Sequence, residues 1–129
     1  MFQTIGALLT KRVSDRVVSL GTTSIVISLD GLTTEVFDAI RRRASQEKII
    51  ANIENINRAK RRLKVNQPTP GIEFVAMRRN IHELWDIVRL AAELVAAHVQ
   101  VAELTEYNTT GGESLIDDPQ MAYRAEQAE

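Results

Sequence analysis

From Phe74 to Ala102, apolar residues return at alternating intervals of three and four. Phe74, Met77, Ile81, Leu84, Val88, Ala91, Val95, His98 and Ala102 fall on one helical seam that only His98 interrupts. This sustained heptad spacing predicts a helix over roughly 70–106. Trp85, Ile87, Leu90, Leu94 and Val101 widen the apolar surface on both flanks of the seam, so the predicted helix meets more than one neighbour. Thr69 reads as its N-cap and Pro70 as its first residue, where the missing N–H costs nothing. Gly111-Gly112 marks a stop beyond its end.

The segment 33–64 is also helical by content, rich in Glu, Ala, Arg, Lys, Gln and Ile and free of Gly and Pro. Thr33 or Thr34 is its expected cap. Its apolar stripe changes phase near Ser45–Lys48: Val36, Phe37, Ile40 and Ala44 share one face, while Ile49, Ile53, Ile56 and Leu63 share another. With no breaker residue present, a straight helix showing each half to a different neighbour is favoured over a bend. The short connector Asn66–Pro70 returns the second helix antiparallel to the first.

Residues 2–30 read as a short helix over 2–14 followed by a small β-hairpin, with the β-branched runs Val17–Leu20 and Ser24–Leu29 placed around Gly21. The expected fold is therefore mainly α, a single domain over 1–129. It consists of a long antiparallel helical hairpin (33–64 and 70–106), a small N-terminal α/β element and an extended acidic C-terminal tail over 107–129. A helix of this length spans about 54 Å, whereas a compact globule of this chain length has a radius of gyration of only about 14 Å. The hairpin would project, and its two-sided apolar surface would need a coiled-coil partner, a second copy or a larger assembly.

Composition narrows the chemistry more than the fold. The 129 residues are 44% hydrophobic and 26% charged, as in ordinary folded domains. The absence of cysteine excludes disulfides, thiolate metal sites and cysteine nucleophiles. No apolar run approaches the ~20 residues that span a bilayer. The segment Met1–Asp15 makes a poor signal peptide, so the cytoplasm is the expected location, or a virion if the protein is viral.

Charge is segregated along the chain: residues 41–64 balance at +7 and residues 65–129 at −7. The two strips could satisfy each other within the chain, between copies, or with a charged partner. Arg41, Arg42, Arg43, Arg58, Lys60, Arg61, Arg62 and Lys64 are candidate phosphate contacts. They scatter around the helix, and no aromatic residue stands among them to stack on a base.

His82 and Asp86, four residues apart, share a helix face but are too few to hold a metal. His98 reads most simply as a core histidine; the sharper reading is a register-fixing or pH-sensitive contact between helices. No phosphate-binding loop, nucleophile elbow or HExxH motif is present. Neither a metal nor a cofactor is expected. In the tail, Leu115, Ile116, Met121 and Tyr123 lie in an acidic setting and are candidate contacts with a neighbouring subunit or a basic partner. The reading at this level is a non-enzymatic structural or assembly protein, such as a virion component, a secretion-apparatus part or a scaffold. Nucleic-acid association through 41–64 is the alternative.

Overall fold

The structure, a computed structural model, describes residues 2–4, 6–33, 35–36 and 45–103. Its centre is a parallel sheet. Strands β1 (Phe2–Thr4), β2 (Ser24–Ser28), β3 (Thr69–Ala76) and β4 (His98–Glu103) lie side by side in chain order, and every pairing is parallel. Helices α1 (Lys11–Ser19), α2 (Gln46–Leu63) and α3 (Leu84–Glu93) fill the three crossovers. A turn of 3-10 helix, Ile81–Glu83, leads into α3.

Strands that follow one another in chain order through crossovers of the same hand carry all their helices on the same side of the sheet. The core obeys this. Ile25 and Ile27 alternate along β2 with Leu29 just beyond its end, and Ile72, Phe74 and Ala76 alternate along β3. They meet Val18 of α1, Ile49, Ile53 and Ile56 of α2, and Ile87 and Ala91 of α3. No described helix covers the opposite face, although all-parallel sheets are ordinarily covered on both faces.

Local chemistry sets the helix limits. Thr10 caps α1 by accepting from the Val13 N–H, and Gly21, at φ +72°, lets the chain turn out of that helix. Ser45 has extended backbone and accepts from the Lys48 N–H, which starts α2 there. Val95 closes the α3 end with φ +56°, a conformation costly for a β-branched side chain.

The long helical hairpin and its coiled-coil seam are therefore corrected to an α/β fold. The supposed helix 70–106 is β3, a turn, α3 and β4 in succession. Its heptad spacing arises because Phe74 belongs to a strand of period two and Ile81–Ala91 to a real helical stretch, and the two periods happen to join in phase. Thr69 and Pro70 begin a strand rather than cap a helix. The straight helix 33–64 is corrected as well: Ser45 breaks it where the stripe changes phase. Thr33 does accept from the Val36 N–H at 3.3 Å. The N-terminal helix and hairpin become β1, α1 and β2, with β2 parallel to β1 and Val17-Val18 inside a helix. Here tertiary burial of Val18 overrides β propensity. No helix of the described residues is long and apolar enough to cross a membrane.

Candidate functional site

In parallel α/β sheets, ligands bind at the carboxyl ends of the strands, where loops rather than ladder bonds surround the backbone. Here that rim is built from the segments after β2 and β3. β2 runs on into Leu29-Asp30-Gly31-Leu32-Thr33, and two buried side chains of the β3–α3 connection hold this loop. Glu83 accepts from the backbone N–H groups of Leu32 at 2.6 Å and Thr33 at 3.1 Å. Asn80 donates through Nδ2 to the Asp30 carbonyl at 3.0 Å and the Val75 carbonyl at 2.8 Å, while its Oδ1 accepts from the Met77 N–H at 2.7 Å. The Asp30 carboxylate accepts from the Val75 N–H at 2.9 Å. Loop and strand are thus cross-tied by side chains that replace missing ladder bonds.

The sheet face opposite the described helices leads up to this rim; Val26 and Ser28 are buried on it, Glu73 is half-buried, and Gln3, His98 and Gln100 are exposed. Register places Gln3, Val26, Gly71 and His98 in one row, and Ser28, Glu73 and Gln100 in the next. The Glu73 carboxylate accepts through one oxygen, Oε2, from Gln3 Nε2 and from Ser28 Oγ at 3.0 Å. No cation among the described residues pairs with it. Gly71 makes room for a neighbour: a Cβ there would stand 2.5 Å from His98 Cε1 and Nε2, so the imidazole lies against the glycine backbone. Among the described residues, no three His, Asp or Glu side chains gather to hold a metal ion.

No family model matches the chain, and no curated protein matches it.

The residues singled out by sequence are dispersed by this fold. Phe74 is buried in β3, while Met77 and Ile81 belong to the connection after it. Leu84 and Ala91 turn toward the sheet from α3, whereas Trp85 and Val88 are exposed on that helix. Val95 is exposed in the α3–β4 turn; His98 and Ala102 lie in β4. His98 is exposed rather than set in a helical seam.

Of the basic set, Arg58, Lys60, Arg61, Arg62 and Lys64 occupy the last turns of α2 and its cap. Lys60, Arg61 and Lys64 line a shallow groove with Asn57, Val65 and Val95, and burial lowers the Lys60 pKa below its ordinary value. Arg62 pairs with Asp15 of α1 at 2.8 Å. Arg41, Arg42 and Arg43 lie outside the described residues, as do Leu115, Ile116, Met121 and Tyr123.

Gln3, Ser28, Asp30, Glu73, Asn80 and Glu83 were missed by sequence reasoning. One signal was available. Ser24, Ser28 and Asp30 alternate with Ile25, Ile27 and Leu29, which marks a strand with a polar second face that ends in an Asp-Gly turn.

Proposed function

We propose that this chain is a binding module that takes a small molecule bearing an ammonium or other N–H donor group on the open face of the sheet, against Glu73. The reading rests chiefly on the Glu73 carboxylate, which Gln3 and Ser28 orient through Oε2 alone. Its other oxygen is left to accept from a ligand. A charged acceptor held in place by neutral donors gives a stronger hydrogen bond than a neutral one and pays little ordering entropy on binding. Gln100, opposite Glu73 on β4, and His98 in the adjoining row supply further polar contacts at the same level. The loop Asp30–Thr33, tied by Glu83 and Asn80, follows directly on the strand that carries Ser28.

The test is an amide-resolved NMR titration with ethanolamine and with L-arginine, using glutarate as the anionic control. Shifts centred on Ser28, Glu73 and Gln100 with the amines only, and lost in Glu73→Gln, are expected. Equal shifts with glutarate, or persistence in Glu73→Gln, would overturn the reading.

A second reading, phosphate binding by the basic end of α2, has one observation in its favour. Arg12 and Arg16 of α1 line a groove with Arg62, and Asp15 is the sole acidic residue in its lining. Anisotropy of a labelled single-stranded oligonucleotide, titrated at low and high salt, tests it; a salt-independent signal would exclude phosphate contact as its source.

A further inference from the structure

The last turns of α2 carry positive charge that no ion pair of the fold uses. Asn57, Lys60, Arg61 and Lys64 stand at intervals of three and four, which places them on one face of the helix. Arg62, on another side, pairs with Asp15 of α1. Toward α3, the first four residues line a cavity of about 400 Å³ with Val65, Asn66 and Val95. Asn57 ties its walls together, donating through Nδ2 to the Leu94 carbonyl at the end of α3 at 2.7 Å. Among the described residues no carboxylate lines this cavity, and Lys60, Arg61 and Lys64 enter no ion pair.

Cations at a helix C-terminus ordinarily serve its free carbonyls. Here the backbone already serves them: the Val65 N–H donates to the Lys60 carbonyl at 3.1 Å and the Lys64 N–H to the Arg61 carbonyl at 3.3 Å. Helix α3 ends alike, the Ala96 N–H on the Ala91 carbonyl at 2.9 Å and the Val95 N–H on the Ala92 carbonyl at 3.1 Å. Such closures use a left-handed residue, most often glycine. Lys64 and Val95 hold these positions at φ +56°, and both line the cavity. Backbone strain is thus carried at the two points where a side chain is set on the cavity wall.

The charges also lack what would offset them. Lys60 and Lys64, one turn apart, repel each other. Lys60 is half-buried, and desolvation lowers its pKa. An anion in the cavity relieves both penalties. A carboxylate leaves two of the three cations unmatched, whereas a phosphate monoester brings nearly two charges and three acceptor oxygens at neutral pH. Arg61 can offer its planar fork to two of those oxygens, and the lysines act as point charges. Cavities of this size hold small organic molecules rather than a bare ion, and Val65 and Val95 give the remainder of such a molecule apolar surface.

We propose that the cavity between the ends of α2 and α3 binds a small organic phosphate monoester, its phosphate held by Lys60, Arg61 and Lys64. This site is separate from the groove beside α1 and does not depend on the Glu73 reading.

An amide-resolved NMR titration of the full chain with phenyl phosphate is expected to shift Lys60, Lys64 and Val95. Benzoate, a monoanion of similar shape, should bind at least about tenfold more weakly. Lys60→Gln combined with Lys64→Asn, which retains a residue tolerant of the left-handed conformation, should raise the phenyl phosphate dissociation constant at least about tenfold. Arg61→Gln provides a second variant should that pair fail to fold. Arg62→Gln, on the α1 side, should change the constant by less than about twofold, since a charge outside the cavity acts through screened solvent. A short single strand should compete no better than phenyl phosphate when it carries a 5′-phosphate, and not at all when it ends in a hydroxyl. Tighter binding of either strand would assign the site to nucleic acid and overturn the proposal. Equal affinity for benzoate, shifts centred outside the cavity, or as large a loss in Arg62→Gln as in the cavity variants would each overturn it as well.

Discussion

Replacing Asn80 with alanine tests whether the tied rim stabilises the fold or merely decorates it. The side chain is 0% exposed and makes three hydrogen bonds, all to backbone: from the Met77 N–H, and to the carbonyls of Asp30 and Val75. Truncation leaves all three groups without their partner, two of those bonds being fully buried. A buried polar group left unsatisfied costs about 1–3 kcal/mol. Water entering the space of the lost carboxamide recovers part of that. The expected loss is about 3–5 kcal/mol, a large fraction of the about 5–15 kcal/mol that holds a domain of this kind together. With a urea slope of about 1–3 kcal/mol/M, the unfolding midpoint should fall by about 2 M.

Asn80→Asp sharpens the test, because it keeps the shape and the acceptor toward Met77 but turns a carboxylate oxygen toward two carbonyls. That repulsion raises the folded-state pKa of the introduced acid. Its favourable protonated form is then fully present below the unfolded carboxylate pKa and is lost as pH rises through the raised folded value. The variant should therefore be less deficient at acid pH than at pH 7, relative to the parent chain. A cost under about 1 kcal/mol for Asn80→Ala, or a pH-independent Asn80→Asp deficit, would refute this account of the rim.

Two further predictions follow from backbone geometry and loop tethering. Val95→Gly should stabilise the protein by about 0.5–1 kcal/mol in thermal or urea unfolding, since it removes a β-branched side chain from φ +56° at an exposed site where little burial is lost; a net destabilisation would contradict it. Glu83→Ala should speed amide hydrogen exchange at Leu32 and Thr33, whose N–H groups it frees, by at least about tenfold with smaller effects in β2; unchanged protection there would show that something other than Glu83 holds the loop.

Much of the local structure was legible along the chain. Part of the helix expected over 33–64 is observed as Gln46–Leu63, the β-branched run 24–29 contains the strand Ser24–Ser28 although not in the expected hairpin, and of the seam expected over 70–106 only Ile81, Leu84, Val88 and Ala91 lie in helix. These depend on residues within a few positions of one another, and periodicity reports such neighbours well. Residues 70–76 show the limit. A short apolar run is compatible with a buried strand or a helix, and Phe74 followed by Met77 and Ile81 extended a true helical pattern backward into a strand. Ser45 was read as one more polar helix residue because the side chain that caps a helix is no different from one carried on its surface.

The candidate site lay further out of reach. Gln3 and Glu73 are 70 residues apart, and Glu83 is 51 from Leu32. Only parallel pairing brings them together, because each crossover carries the chain the length of the sheet before the next strand lies down beside the last. The sequence by itself determined which short segments could be helix or strand and which of their faces were apolar. The tertiary structure decided that the strands run parallel in chain order, and therefore that the described helices α1, α2 and α3 share one side while Gln3, Ser28 and Glu73 meet on the other. Such pairing is settled by long-range burial and backbone hydrogen bonding together, for which spacing along the chain carries no record.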